Sequence, residues 1–160
     1  MAKIHVTTFV NAPAKRVYDL SRSVNLFQIS SSANFEKFIE GLSSGLVNEN
    51  DTIVYQAKHF SRRRNLTLKI ISLNIPHQIT IQLLMKGFTS FQHNLYFKAI
   101  KNGSFLIDII EYETSFGLIG KLLDKIFIKN HINKLLLHRN EIIKQYAETS
   151  KWTEILTQIK

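Results

Sequence analysis

The spacing of apolar residues changes twice along the chain, and each change predicts a different kind of element. An alternating segment over 3–10 predicts a first β-strand. Pro13 then favours a helix start, and the polar, interrupted stretch after it predicts two short helices. From Leu42 to Thr114, alternating segments separated by turn-forming residues predict about six more antiparallel strands. Apolar residues three and four apart then predict one long helix over about Leu118–Glu148.

The dipeptide Asn102-Gly103 lies between two strand-like segments and is the strongest short hairpin signal in the chain. We place it at the two central positions of a type I′ turn. This register predicts three cross-strand pairs: Phe97 with Asp108, Leu95 with Ile110, and His93 with Tyr112. The face that contains these six residues is mostly apolar, so we expect it to point inward.

Together these elements predict an α+β fold, with two short helices after strand 1 and a curved seven-stranded antiparallel sheet wrapped around a long C-terminal helix. The apolar band of the long helix is wider than packing on a flat surface requires. A curved sheet covers such a band, and a single helix does not fill the space inside it. An internal cavity is therefore expected.

We expect one domain over 1–148, followed by an amphipathic tail over 149–160. The tail spaces its apolar residues as a short helix does, at Trp152, Ile155, Leu156 and Ile159. It is expected to cover the edge of the fold, to contact a second subunit, or to touch a membrane surface, in that order of preference. A monomer and a homodimer both stay open.

Composition limits the class of protein, its possible chemistry and its expected cellular location. The 160 residues are 44% hydrophobic, which is typical of one globular domain. The absence of cysteine excludes disulfide and thiolate chemistry and favours an intracellular location. Because the first residues lack the pattern of a signal peptide and no apolar stretch is long enough to span a bilayer, we expect a cytoplasmic protein without an integral membrane segment.

The formal net charge of +9 raises the question of nucleic-acid or anionic-membrane binding. The basic residues are scattered, apart from Arg62-Arg63-Arg64 between two strand-like segments. We expect this triplet in a solvated loop at a hairpin tip. No nucleic-acid partner is predicted, and transient contact with a membrane surface stays open.

Five segments give the chain a resemblance to a known superfamily. They are NAPAKRVYDL (11–20), residues 87–97 with FQHNLYF, GSFLIDIIEYE (103–113), FGLIGKLLDKIFI (116–128) and HRNEIIK (138–144). Over about Ile4 to Ala147 the chain resembles the SRPBCC superfamily of START-like, helix-grip proteins, which includes the birch pollen allergen, polyketide cyclases and coenzyme-Q-binding proteins. It looks most like a bacterial branch described as ligand-binding SRPBCC proteins.

The resemblance implies a hydrophobic cavity between the sheet and the terminal helix that accepts lipids, quinones, polyketides or similar molecules. It does not imply one chemistry, because the same fold serves carriers, sensors and cyclases. We therefore predict a carrier or sensor of a small hydrophobic ligand. A cofactor-free cyclase, dehydratase or isomerase is the alternative, and a structural or interaction module is the second alternative.

The candidate polar residues of the cavity are His93, Asp108 and Tyr112. An unpaired buried carboxylate is costly, so Asp108 should be hydrogen-bonded or have a raised pKa. Three roles stay open for the trio: a structural network, an anchor for a ligand carbonyl or hydroxyl, or acid/base catalysis of an enolisation. The sequence contains no nucleophile elbow, phosphate loop, cofactor motif or zinc-like histidine spacing, so no cofactor and no metal is predicted.

The other expected pocket residues are apolar or aromatic positions of the strands and the long helix. On the strands they are Tyr55, Leu68, Ile81, Leu83, Phe91, Leu95, Phe97 and Ile110. On the helix they are Ile119, Leu122, Leu123 and Ile126. Each of these residues taken alone is more often part of an ordinary core than of a pocket.

Overall fold

The computed structural model describes residues 1–32, 35–59, 62–115 and 127–157. The strands are β1 (Ala2–Val10), β2 (Phe35–Gly41), β3 (Thr52–His59), β4 (Arg62–Asn74), β5 (Gln78–Leu84), β6 (Phe88–Ile100) and β7 (Gly103–Thr114). The helices are α1 (Ala14–Ser21), α2 (Val24–Ser31), α3 (Lys129–Glu148) and α4 (Lys151–Leu156).

The described strands form one curved antiparallel sheet in the order β1-β7-β6-β5-β4-β3-β2. The chain runs as a meander from β2 to β7, and β1 pairs with the last strand. Helix α3 packs against β1 and against both short helices. The predicted α+β helix-grip class is therefore confirmed, with its seven strands, two short helices after β1 and a long C-terminal helix.

The start of the long helix lies outside the described residues. Phe127 and Ile128 form a π-helical turn, and the regular helix α3 continues from Lys129 to Glu148. The predicted helix start at Leu118 stays a prediction, as does the pocket role of Ile119, Leu122, Leu123 and Ile126.

The predicted register of the β6–β7 hairpin is wrong by two residues. Lys101 and Asn102 form the turn, and Ile100 pairs with Gly103. The observed pairs are Phe97–Leu106, Leu95–Asp108, His93–Ile110 and Phe91–Tyr112. A slip of two residues leaves every side chain on its face of the sheet, whereas a slip of one would have reversed them. The residues expected to point inward therefore remain on one face.

Gly103 explains why the observed register differs from the predicted one. At this position only a residue without a side chain can lie so close to β1. Gly103 has φ +149°, and a Cβ atom there would lie 2.4 Å from the carbonyl oxygen of Val10. The glycine therefore permits β1 to pair closely with the start of β7. It belongs to the strand and not to the centre of the turn.

Replacing Gly103 with alanine should lower the free energy of unfolding by about 1–3 kcal/mol, because the new methyl group meets backbone in a strained conformation. The matched control is Gly45→Ala, since Gly45 also has a positive φ of +90° but has open space where its Cβ would lie. Urea unfolding of both variants measures the difference. Equal losses would contradict a role for the Val10 contact.

The predicted loop at Arg62-Arg63-Arg64 is also wrong. All three arginines belong to β4, where Arg62 pairs with His59 and Arg63 pairs with Lys58. The guanidinium of Arg64 donates to the carbonyl oxygen of Lys86 at 3.1 Å. Long basic side chains can keep their charged ends in water while their backbone continues a strand ladder, so the charge run did not mark the end of the strand.

The described residues form three clusters of buried apolar side chains. The first lies beneath α1 and includes Tyr18, Leu95, Phe97, Leu106 and Ile143. The second consists of residues on β3 and β4 together with Val24 and Val47. The third contains Ile4, Phe91, Ile110, Tyr112 and Leu136. A cavity remains where the second and third clusters face each other, and its walls come from both.

The tail helix α4 packs onto the first cluster. Ile155 is buried there, with Trp152 and Leu156 partly buried beside it. The guanidinium of Arg16 lies 4.6 Å from the centre of the Trp152 ring. These contacts attach α4 to α1 over the edge of the fold. Within the described part of the chain, none of the helices combines the length and apolar character that crossing a bilayer requires.

Candidate ligand-binding site

The cavity has a volume of about 210 Å³ and lies between the inward face of the sheet, α2 and α3. Seven of the residues expected in the pocket form part of its wall: Tyr55, Leu68, Ile81, Leu83, Phe91, His93 and Ile110. The sequence argument missed several other apolar residues of the wall, namely Phe27, Met85, Phe88, Ile132, Leu135 and Leu136. Most of the described wall is therefore aliphatic or aromatic.

Four other expected pocket residues lie behind the wall that the described residues form. Leu95 and Phe97 belong to the first core cluster, beneath α1. Tyr112 is fully buried and stacks on Phe91, with ring centres 5.8 Å apart. Tyr112 is not the cross-strand partner of His93, because the true register pairs it with Phe91. Asp108 is fully buried and reaches the cavity only through its neighbours.

Asp108 is the centre of a polar cluster formed with His93, Arg139 and Asn140. Its carboxylate accepts hydrogen bonds from His93 Nε2 at 2.7 Å and from Asn140 Nδ2 at 2.6 Å. Arg139 Nη1 donates to the same carboxylate at 3.3 Å. Since Asn140 Nδ2 also donates to Thr8 Oγ1 at 3.1 Å, the polar cluster joins α3 to β1, β6 and β7.

Burial alone would raise the pKa of Asp108, but the hydrogen bonds from His93 and Asn140 and the charge of Arg139 together hold it below its ordinary value. Burial lowers the pKa of His93, and the nearby Arg139 charge acts in the same direction against the attraction of Asp108. At neutral pH the cluster therefore contains an ionised Asp108 and a neutral His93. Arg139 is charged as well, because burial lowers the pKa of its guanidinium but the Asp108 carboxylate opposes that change, and a guanidinium keeps its proton at neutral pH. The charges of the cluster balance.

His93 and Arg139 connect the polar cluster to the cavity. Their side chains are 14% and 18% exposed, and both residues line the wall. In neutral His93 the Nε2 proton goes to Asp108, so Nδ1 keeps a free lone pair. Arg139 uses Nη1 for Asp108 and Asn140, and none of the described residues accepts from its Nη2 or Nε. One end of an apolar cavity thus offers one acceptor and several donors.

Comparison with solved structures identifies the fold. Major latex-like protein 151 from Panax ginseng aligns with a TM-score of 0.71 at 10% identity, over 92% of this chain and 98% of that one. Norcoclaurine synthase from Thalictrum flavum aligns with a TM-score of 0.69 at 16% identity, over 90% and 91%. Protein CV1439 from Chromobacterium violaceum aligns with a TM-score of 0.66 at 13% identity, over 93% and 99%. The chain therefore shares the helix-grip fold of these three proteins. No family model and no curated protein sequence matches the chain.

This helix-grip cavity has a wall whose ionisable groups are mostly bases. Among the described lining residues, the ionisable side chains are Tyr55, His93, His131 and Arg139. Burial raises the pKa of the Tyr55 phenol, so this residue stays neutral. Burial, together with the charge of Lys134, lowers the pKa of His131. No aspartate or glutamate belongs to the described wall, and the described residues bring no three metal-binding side chains together.

The stability of this helix-grip domain should fall as the pH decreases below about 6.5. His93 has a lower pKa in the folded chain than the ordinary value of about 6.5, so the unfolded chain binds its proton first. The contribution of His93 to the free energy of unfolding is therefore complete above pH 6.5. It is lost as the pH falls from 6.5 toward the pKa of His93 in the folded chain. Asp108 adds a second loss below about 3.9 by the same rule.

The measurement is the free energy of unfolding by urea between pH 8 and pH 5, on the wild type and on His93→Gln. The glutamine amide can still donate to Asp108 but does not titrate, so the fall between pH 6.5 and pH 5 should become smaller. His5→Gln is a matched control, because His5 is exposed on the outer face of β1 and hydrogen-bonds only Thr7 among the described side chains. A wild-type profile that stays flat over this range would contradict the assignment.

Sequence reasoning missed Arg139 and Asn140, although both lie in the HRNEIIK segment that supports the resemblance. Asn140 follows Leu136 by four residues and precedes Ile143 by three, and all three side chains are buried. A polar residue within an apolar helical stripe is a detectable signal. An inward carboxylate on β7 and an inward polar pair on the last helix could have been matched as partners.

Proposed function

We propose that the protein binds a small hydrophobic molecule with one polar end in this cavity, as a carrier or sensor in the cytoplasm. The observation that supports the proposal is the apolar cavity with His93 and Arg139 at one end, each with hydrogen-bonding atoms that no described residue uses. A few convergent polar groups in an apolar hollow are typical of small-molecule sites. Lipids, quinones and polyketide-like molecules all contain such a polar end.

The volume limits how much of the ligand is enclosed. An apolar cavity of about 150 Å³ accommodates a benzene molecule, and this cavity is about 210 Å³. One substituted ring or a short acyl segment therefore fits inside. A longer molecule would extend past the wall.

A neighbour of the same fold supports this kind of ligand. A structure of norcoclaurine synthase from Thalictrum flavum is described in complex with dopamine and hydroxybenzaldehyde, two single-ring molecules. Its sequence is 15% identical to this chain. The likeness supports a similar ligand size, and the chemistry of the ligand has to come from the residues of this chain.

Native mass spectrometry of the purified protein tests the proposal. We expect a mass increment that corresponds to a co-purified small molecule, and we expect Leu68→Phe to reduce its occupancy because Leu68 lines the cavity. Lys69→Phe is the control, since Lys69 is the next residue on the strand and is exposed. A protein that is empty and also ignores a panel of lipids and aromatic compounds would refute the carrier or sensor proposal.

A cofactor-free enzyme is the second candidate, and the free Nδ1 atom of His93 favours it. A neutral histidine that is oriented by a carboxylate can remove a proton from a carbon next to a carbonyl, while Arg139 donates to the developing enolate. His93→Gln should then abolish turnover of a bound ketone while ligand affinity stays within a few-fold. Solvent deuterium exchange into the bound compound measures this step, and unchanged exchange in the variant would exclude His93 as the base.

A further inference from the structure

We propose that the cavity selects a small carboxylic acid in its ionised form over neutral and cationic molecules of the same shape. In this arrangement the ligand carboxylate accepts from the free edge of Arg139, and its ring or acyl chain lies against the apolar wall. The inference rests on the proposed ligand-binding function and specifies which class of molecule that site prefers.

The first support is the geometry of Arg139. Its Nη1 is held by Asp108 and Asn140, at 3.3 and 3.1 Å. The guanidinium plane is thereby fixed, and its Nη2 and Nε donors remain without acceptors among the described residues. A fixed edge with parallel donors matches the two oxygens of a carboxylate. A neutral carbonyl uses only part of this edge.

The second support is the charge of the wall. Each ionisable group of the described wall other than Tyr55 is a base: His93, His131 and Arg139. An anionic ligand can be balanced by proton uptake on either histidine, whereas the described wall has no acid to balance an amine. The Asp108 carboxylate is not available to a ligand amine either, because it is fully buried behind three donors.

The third support is the ability of His93, which also lines the cavity, to take up a proton at Nδ1. His93 Nδ1 carries a lone pair when the Nε2 proton is donated to Asp108. A protonated His93 becomes a donor at this position, next to the ligand carboxylate. Because the lone pair of neutral His93 cannot hydrogen-bond to a carboxylate, a bound acid favours the protonated form of His93, and the positive charge of that form disfavours a bound cation.

The experiment compares three probes of one shape by isothermal titration calorimetry at pH 7: phenylacetate, phenylacetamide and phenethylamine. Hydrogen bonds to charged groups are stronger than those to neutral groups. We therefore expect the wild type to bind phenylacetate at least about tenfold more tightly than phenylacetamide, and phenethylamine more weakly than either.

Two variants test the role of Arg139. The double variant Asp108→Asn/Arg139→Gln removes both buried charges together, so no unpaired charge is left inside. We expect this variant to bind phenylacetate and phenylacetamide with about equal affinity. Arg139→Lys keeps the positive charge but removes the forked edge, and we expect it to retain part of the preference. Because each result is a ratio of two affinities in one protein, a moderate loss of stability does not imitate it.

The outcomes separate this inference from the proposed function. If phenylacetamide or phenethylamine binds as tightly as phenylacetate, the preference for acids is overturned and ligand binding stands. The same holds if none of the probes binds while native mass spectrometry detects a co-purified neutral molecule. If no probe binds and the purified protein is empty, both the preference for acids and the proposed ligand-binding function are refuted. A preference for phenylacetate that survives in the double variant would overturn the assignment to Arg139.

Discussion

Replacing Asp108 with asparagine should lower the free energy of unfolding by about 3–5 kcal/mol, the range observed when one partner of a buried ion pair is removed. Asp108 is fully buried, and its three polar neighbours, His93, Arg139 and Asn140, all donate to it. An asparagine amide at this position places an N–H group against one of those donors. The charge of Arg139 also loses its counter-charge inside the domain.

Urea unfolding at pH 7 measures the effect, and Glu111→Gln is the matched control. Glu111 is on the same strand but faces outward, where it pairs with Lys3 at 3.1 Å while 32% of its side chain is exposed. The same carboxylate-to-amide change there should cost no more than about 1 kcal/mol. The double variant Asp108→Asn/Arg139→Gln should recover part of the loss. Equal effects at Asp108 and Glu111 would contradict the description of Asp108 as a buried anchor.

The order and type of most elements could be predicted because they depend on local periodicity, but the first of the six strands expected from Leu42 onward is instead β2, Phe35–Gly41. Alternation over β1 and β7 and the three- and four-residue spacing over Lys129–Glu148 are properties of short segments. These patterns predict the folded elements well, because all the apolar residues on one face of a strand or helix pack against the core together. The sheet curvature followed from an excess of apolar surface on one helix, which is also a property of the sequence alone.

The hairpin register could not be predicted, because it depends on a contact with a distant strand. Asn102-Gly103 has the sequence of a type I′ turn, but Gly103 instead lies against the Val10 carbonyl of β1. Local turn propensity was therefore overruled by the packing of β1 on β7. The faces stayed correct only because the slip was an even number of residues.

The candidate site could be predicted in part. His93 and Asp108 were recognised as inward polar residues of two neighbouring strands, and the structure joins them at 2.7 Å. Arg139 and Asn140 come from α3, and their arrival at Asp108 depends on how the helix docks across the sheet. No spacing within the sequence fixes that docking. Tyr112 was linked to His93 only by the incorrect register, and it packs among Phe88 and Phe91 instead.

Replacing Leu83 with tryptophan should abolish most ligand binding while the domain stays folded. Leu83 is half-buried, lines the cavity and pairs with Leu68 across the sheet. The larger side chain enters existing space of about 210 Å³, so it should displace the ligand rather than strain the core. A ligand ring that buries about 100 Å² contributes about 2.5 kcal/mol to binding, and loss of that burial weakens affinity about 70-fold.

Leu84→Trp separates cavity filling from a general effect of tryptophan on β5. Leu84 is the next residue, points to the opposite face of the sheet and is 52% exposed. Its affinity for the same probe should stay within about twofold of the wild type, because no wall atom changes. Calorimetric titration of both variants with phenylacetate, alongside urea unfolding, gives the comparison. If Leu83→Trp binds normally, or if Leu84→Trp weakens binding equally, the ligand does not occupy this cavity.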